Sequence, residues 1–431
     1  MESCNIIILG NNFSNLVCGA LLAVSGQKIT YIKAMEKDEC VGYFPESNGK
    51  FPICEYSFDY ETGIFHELLK ELKLVEKIHC EKKLPYLNYI FSDEKLTCEY
   101  SWDGFKKLII ERFGEEQEAL KKFFSLIEKL SEEWICMVNS YGLPSFTKIM
   151  NMAKYSNVKY LDYIHNNFKD LKLIQILVHD VVNKDISLTV MAGYIMQLFN
   201  GRRLVGGYKE LENHLYSVLY DFAEVVEATS ANVKYEYCSQ EQDFKVMVGE
   251  NNYKSNILVM SSDTLGVFES GKYEVSERHI VHVNCITNKK NNRNESIYKY
   301  CGYVGGKDNN KTDYYCVITE IEDKVQARLF ISDTEQIDMN LILEDVIAHV
   351  TNLCGSVISC KLADEADIND YFQWNCGQIN AWGFSVSDFK DNPLTRKFNP
   401  PGLYLTGVWG RAFITSAKVT SKNIIMSGKE F

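Results

Sequence analysis

Residues 5–33, NIIILGNNFSNLVCGALLAVSGQKITYIK, contain two short apolar runs separated by a helix-like pattern. The run at 5–9 is β-branched and short, which is typical of a strand buried on both faces. Apolar residues then recur at helical spacing over 16–24 and stop before Gly26. A second β-branched run follows at 28–32. The stretch therefore predicts one βαβ unit with two parallel strands.

The turn between the first strand and the helix departs from the G-x-G-x-x-G pattern of dinucleotide-binding proteins. Its three positions are occupied by Gly10, Asn12 and Asn15. Gly10 still permits a tight turn, and asparagine tolerates positive φ. Asn12 adds a side chain where a pyrophosphate would approach, and we expect Asn15 to crowd the helix against the strand. These residues leave two hypotheses open, a working nucleotide site and a folded relic of one.

The second strand of the unit runs into Lys33, where dinucleotide-binding units carry Asp or Glu. A carboxylate at that place accepts hydrogen bonds from ribose hydroxyls, whereas an ammonium group has no acceptor. Two interpretations remain for Lys33. It either pairs with a phosphate or is an exposed residue at the end of a strand.

The composition is that of an ordinary globular protein with an acidic balance. The 431 residues include 46 Lys+Arg and 58 Asp+Glu, which gives a net charge of −12, and 46% of them are hydrophobic. This length allows two or three domains or one large two-part α/β enzyme. The acidic balance argues against a nucleic-acid partner, which would require clustered Lys and Arg.

The 14 cysteines are scattered, without a C-x-x-C pair, and Cys354 and Cys360 are the closest in sequence. This spacing predicts neither a metal site nor a disulfide scaffold, and it favours buried thiols in a reducing compartment. The first residues, MESCNIIILG, lack the basic stretch and apolar length of a signal or membrane span. We therefore expect a cytoplasmic protein without a membrane span.

Further elements are predicted along the rest of the chain by the same periodicities. Helices are expected at 64–74, 104–140, 158–180, 209–221, 340–354 and 416–426. Strands are expected at 224–226, 233–237, 244–248, 256–260 and 402–406 and, as several strands, within 277–331.

Several segments resemble, in order, the phytoene desaturase and flavin amine oxidase superfamily. The opening IIILGNNFSNLVCGALLAVSGQKITYIKA is similar to its FAD-binding start, with Gly10, Leu16, Leu22 and Gly26 at the family spacing. Three later segments agree, FDYETGIFHELLKELKL, LVGGYKELENHL and NPPGLYLTGVWG. The stretch KYLDYIHNNFKDLKLIQILVHDVVN resembles helices of the family's substrate domain.

The resemblance implies an α/β fold with a discontinuous, Rossmann-like FAD/NAD(P)-binding domain and a second, α+β substrate domain. The first domain is expected at 1–78, 200–265 and 372–431, and the second at 79–199 and 266–371. The N-terminal βαβ unit and the strand near 402–406 should then lie in one parallel sheet. The implied cofactor is FAD, and the cofactor-binding positions carried over from the family are Gly10, Asn12, Asn15, Lys33, Gly42, Gly407 and Val408.

The function implied by the resemblance is that of an FAD-dependent oxidoreductase acting on a small apolar or amine-containing metabolite. No sequence context marks a catalytic acid, base or nucleophile. The departures from the family pattern fall on cofactor contacts, among them Lys33 and, where the family has an acid, Val408. They support an alternative, a flavin-free pseudoenzyme that binds a small-molecule or lipid-like ligand or a protein partner. Rab GDP-dissociation inhibitors resemble members of the superfamily that kept the fold, lost FAD and became lipid-binding chaperones.

Overall fold

The computed structural model describes residues 2–3, 6–10, 13–35, 63–81, 86–140, 145–179, 181, 184–205, 207–229, 232–261, 279–288, 296–305, 311–321, 324–331, 339–363, 400–406 and 413–427. The strands in these ranges are β1 (Glu2–Ser3), β2 (Ile6–Leu9), β3 (Ile29–Met35), β4 (Cys80–Glu81), β5 (Tyr86–Ile90), β6 (Lys95–Glu99), β7 (Arg203–Leu204), β8 (Glu224–Thr229), β9 (Val233–Cys238), β10 (Asp243–Val248), β11 (Asn251–Ser255), β12 (Leu258–Ser261), β13 (His279–Thr287), β14 (Ser296–Gly305), β15 (Lys311–Ile321), β16 (Lys324–Ile331), β17 (Val357–Ala363) and β18 (Leu403–Thr406). The helices are α1 (Phe13–Val24), α2 (Ile64–Glu71), α3 (Trp102–Arg112), α4 (Gln117–Asn139), α5 (Met150–Tyr155), α6 (Tyr160–Asn167), α7 (Leu171–Val178), α8 (Leu188–Asn200), α9 (Gly207–Phe222), α10 (Met339–Leu353) and α11 (Phe413–Ser427).

A five-stranded parallel sheet in the order β18–β12–β2–β3–β8 combines strands from near the N-terminus and near the C-terminus. The apolar run that forms β2 is buried at every position, as expected for a central strand covered on both faces. Helix α1 connects β2 to the parallel strand β3. The predicted βαβ unit is confirmed, and it shares its sheet with the strand near the C-terminus.

The two faces of this sheet are covered by different layers. Side chains such as Ile8 and Tyr31 pack with apolar residues of α1, α2, α9 and α11. On the opposite face, Ile7 and Ile32 pack against Phe244 of a four-stranded sheet in the order β1–β11–β10–β9. The alternation follows the period of two along a strand, which sends neighbouring side chains to opposite faces.

A seven-stranded mixed sheet, in the order β17–β13–β16–β15–β14–β5–β6, is the second large element of the fold. Its neighbouring strands are antiparallel except for β5 and β14, which are parallel. One face, which includes Ile297 and Val317, packs against helices α3 to α8. The other face, which includes Tyr298 and Ile318, packs against α10.

The α/β class predicted from the sequence is confirmed by these layers. The exact domain boundaries, 1–78, 200–265 and 372–431 for one domain and 79–199 and 266–371 for the other, stay a prediction. Within the part of the chain that the structure describes, no helix has the length and apolar character needed to cross a membrane.

Gly402 sets the start of β18, and its replacement by alanine is expected to destabilise the parallel sheet. Its φ is +85°, and an added Cβ would overlap the backbone carbonyl oxygen of Asn256. We expect Gly402→Ala to lower the free energy of unfolding by about 3 kcal/mol, measured by urea denaturation. Gly249→Ala is the control, since its φ is +59° but no atom lies within 4 Å of the added Cβ. It should cost about 1 kcal/mol, and equal losses in the two variants would contradict the steric argument.

Candidate functional site

Gly10 follows β2, which ends at Leu9, and precedes α1, which begins at Phe13. Gly10 has a φ of +115°, a conformation that other residues rarely adopt, and a Cβ at this position would lie 3.0 Å from Nδ2 of Asn15. Its backbone N–H donates to the carbonyl oxygen of Ile32 over 3.1 Å. The turn is therefore held against the neighbouring strand β3, next to Lys33.

Asn15 lies completely buried beneath this turn. Its amide nitrogen donates to the carbonyl oxygen of Leu9 over 2.9 Å, and its amide oxygen accepts a hydrogen bond from the hydroxyl of Thr406. Leu9 ends β2 and Thr406 ends β18, so one side chain connects the carboxyl ends of two strands. The side chain that the glycine pattern would exclude is thus accommodated by hydrogen bonds.

Helix α1 packs closely on the sheet one helical turn later, at Gly19. A Cβ added there would lie 3.1 Å from the ring of Tyr31 and 3.2 Å from side-chain carbons of Ile8 and Leu219. Gly19 therefore allows α1 to pack closely on both the sheet and α9. This role of Gly19 was not predicted from the sequence, although a glycine inside a helical apolar pattern is a signal for such packing.

Lys33 lies in β3 opposite Glu227 of β8, and the two residues are Cα partners in the parallel register. Its Nζ is 3.6 Å from Oε1 of Glu227 and 4.7 Å from the ring centroid of Tyr216. The Lys33 side chain is only 18% exposed, whereas that of Glu227 is 69% exposed. Lys33 is therefore a largely buried, charge-paired residue and not an exposed one.

A surface cleft of about 410 Å³ opens beside this ion pair. It is lined by Lys33, Asn213, Tyr216, Ser217, Tyr220 and Asp221. The hydroxyl of Tyr220 donates to Oε1 of Glu227 over 3.4 Å. Burial, with the neighbouring Tyr31 hydroxyl, raises the pKa of Tyr216, which keeps this phenol protonated. The cleft thus offers the Asp221 carboxylate as an acceptor to a ligand with hydroxyl or amine groups, and the Glu227 carboxylate contacts two of its lining residues, Lys33 and Tyr220.

The sequence predicted seven cofactor contacts, and the structure describes three of them, Gly10, Asn15 and Lys33. These three lie at one edge of the parallel sheet, since the Gly10 amide is bonded to the residue that precedes Lys33. The other four, Asn12, Gly42, Gly407 and Val408, lie outside the described residues.

No family model and no curated protein matches the sequence. Solved structures do match it, and they show that the chain shares its fold with a putrescine oxidase and a cyclohexylamine oxidase. A putrescine oxidase bound to putrescine is similar over 100% of both chains, with a TM-score of 0.64 and 12% identity. The cyclohexylamine oxidase of Brevibacterium oxydans is similar over 100% of this chain and 99% of that one, with a TM-score of 0.61 and 10% identity.

A Rab GDI from Plasmodium falciparum is also similar in structure. It covers 84% of this chain and 89% of its own, with a TM-score of 0.51 and 12% identity. Identities this low show a shared fold. The resemblance predicted from the sequence is therefore confirmed for the fold.

The hydrogen bond between Asn15 and Thr406 predicts a specific pattern of mutant stabilities. Asn15→Ala removes a partner from the buried Leu9 carbonyl and the buried Thr406 hydroxyl, and it should cost about 2–3 kcal/mol in urea denaturation. Thr406→Val should cost about 1 kcal/mol. Because the two residues are bonded, the double variant should cost about 1 kcal/mol less than the sum of the single variants. Additive losses would show that the bond contributes nothing to stability.

Proposed function

We propose that this chain is an FAD-dependent oxidoreductase acting on a small apolar or amine-containing metabolite. The observation that carries the proposal is the Gly10 turn at the carboxyl end of β2, which leads into α1 inside a parallel sheet. The fold is shared with oxidases of putrescine and cyclohexylamine, which supports an amine or apolar substrate. The scattered cysteines support a reducing, cytoplasmic location.

The residues of the turn fit a pyrophosphate. The positive end of the α1 dipole, at the start of that helix, favours an anion. Gly10 leaves the backbone open to close approach, and the buried amide of Asn15 holds the turn in place from below. We assign the pyrophosphate to the segment from Gly10 to Asn15, including Asn12.

The ribose requires an acceptor that Lys33 cannot provide, because an ammonium group only donates hydrogen bonds. Glu227 supplies a carboxylate on the adjacent strand, directly across the parallel register, and most of its side chain is exposed. We therefore assign the ribose hydroxyls to Glu227, with Lys33 and Tyr220 as positioning residues that hold its carboxylate. In this assignment the ribose-binding carboxylate lies on β8 instead of β3, and the residues present still fit FAD.

Hydride acceptance is the chemistry that a flavin supplies when bound in such a protein. The part of this chain is to bind and orient the cofactor. Gly42, Gly407 and Val408 remain our proposed contacts for the rest of the flavin. No residue is assigned as a catalytic acid, base or nucleophile.

The proposal is tested by the affinity of purified protein for FAD, measured by flavin absorbance and fluorescence titration. We expect FAD to bind and Glu227→Gln to weaken the affinity about tenfold, since a hydrogen bond to a charged group contributes about 1.5–3 kcal/mol. Glu236→Gln is the matched control, an exposed strand carboxylate of β9 in a different sheet.

The two parts of the proposal fail separately. Colourless protein that does not bind added FAD would overturn the flavin assignment as a whole. Normal FAD binding with an unchanged affinity in Glu227→Gln would overturn only the role of Glu227.

A second candidate function is a flavin-free binding protein of the same fold, for a lipid-like ligand or a protein partner. It is favoured by the ion pair that occupies the usual position of the ribose-binding acid, Lys33 with Glu227. The similarity to a Rab GDI structure supports it as well. Rejection of FAD by folded protein is the result that would select this alternative.

A further inference from the structure

Two cysteines far apart in sequence lie side by side in the seven-stranded sheet. Cys285 of β13 and Cys360 of β17 are direct Cα partners in the antiparallel register. Their sulfur atoms are 3.1 Å apart, and the Cys285 thiol donates to the sulfur of Cys360. A disulfide bond is about 2.0 Å long, so the two sulfur atoms must move roughly 1 Å closer to form one.

The surrounding strands allow this approach. Directly opposed residues of an antiparallel pair have Cβ atoms about 4.5–5.5 Å apart, close to the roughly 3.5–4.5 Å that a disulfide requires. Among the strands that the structure describes, β17 is at the edge of the sheet and β13 is its one neighbour. The register of the pair also shifts between Ile286 and Thr287, next to Cys285. The edge strand can therefore adjust without disturbing a second neighbour.

We propose that Cys285 and Cys360 form an oxidisable dithiol, which a small-molecule disulfide such as oxidised glutathione converts into a cross-strand disulfide. The proposal is independent of the nucleotide site, because it concerns the edge of a different sheet. It assigns a covalent modification site to this sheet edge.

The exposure of the two thiols sets the order of the exchange. Cys360 is half-buried and Cys285 is fully buried, so Cys360 is the sulfur that a dissolved disulfide reaches. The hydrogen bond to Cys360, together with burial, raises the pKa of Cys285, which keeps Cys285 protonated as a donor to the Cys360 sulfur. A thiolate at Cys360 is stabilised by such a donor.

The reaction is a thiol–disulfide exchange in two steps. The Cys360 thiolate attacks one sulfur of oxidised glutathione, which forms a mixed disulfide and releases one glutathione thiolate. The Cys285 sulfur then attacks the sulfur of Cys360, and its proton leaves with the second glutathione. The protein loses two electrons and two protons, and one oxidised glutathione becomes two molecules of reduced glutathione.

The disulfide would fasten the edge strand β17 to β13 and close the chain between residues 285 and 360. That loop contains α10, which packs on the same face of the sheet as Cys285. A bond across a long loop restricts the unfolded chain strongly, so the oxidised protein should be the more stable form.

The test uses the full-length protein incubated with oxidised glutathione and then analysed by thiol titration and peptide mass mapping. We expect two titratable thiols to disappear from the 14 cysteines, with Cys285 and Cys360 in one linked peptide pair. The unfolding temperature should rise by about 5 °C, and a reductant should reverse the rise. Cys360→Ser should abolish the link and the rise. Cys285→Ala should leave only a mixed disulfide at Cys360.

Cys238→Ser is the matched control, because Cys238 is also half-buried and ends an edge strand, β9. This variant should still form the link and show the rise in unfolding temperature. The proposal is overturned if no thiols are lost, if Cys360 stops at the mixed disulfide in the unsubstituted protein, or if Cys285 is linked to another cysteine such as the buried Cys354.

Discussion

One buried side chain, that of Asn15, connects the first strand of the parallel sheet, β2, to its last strand, β18, at the edge where a nucleotide site would form. The parallel sheet is assembled from β2, β12 and β18, which come from distant segments, and parallel neighbours cannot be joined by a short hairpin. Closing such long loops costs conformational entropy that local contacts do not return. The bond from Thr406 to Asn15 spans 391 positions of sequence and ties the last strand to the first turn. The geometry at that edge depends on it.

Local patterns were enough to predict the core of this fold. The buried run of β2 and the periodicity of α1 follow from residue types that are adjacent in sequence. The two-residue strands β1, β4 and β7 were not predicted, because so short a segment becomes a strand only through its partner. The sharing of one sheet by both chain ends came from the resemblance to a known family, and no local pattern contains it.

The candidate site was predicted less completely, because its contacts depend on long-range register. The sequence identifies Asn15 as a departure from a glycine pattern, but its partners at Leu9 and Thr406 appear only when the strands are aligned. The ion pair of Lys33 likewise depends on the pairing of β3 with β8. The cysteines show the same limit, since Cys360 is close to Cys354 in sequence and yet contacts Cys285.

A site whose backbone is held by its own side chains loses less conformational entropy when a ligand binds. In a turn built from three glycines, the backbone is free to take many conformations, and binding must restrict them. Here the Asn15 amide bonds to the carbonyl oxygen of Leu9, where the turn begins, and to the Thr406 hydroxyl. Asparagine in place of glycine at this position therefore fills the space beneath the turn and holds its first residue in place.

For the proposed nucleotide site, the charges near Lys33 distinguish a ribose that carries a phosphate from a ribose with free hydroxyls. A phosphorylated ribose would bring added negative charge to a place where Lys33 is already paired with Glu227 and where Asp221 also lies. Like charges at short range oppose binding, and one ammonium group cannot neutralise two carboxylates and a phosphate. A ribose with free hydroxyls instead donates to those carboxylates and adds no charge. In the proposed nucleotide site, this electrostatic balance favours an unphosphorylated ribose, although the lysine alone suggests the opposite.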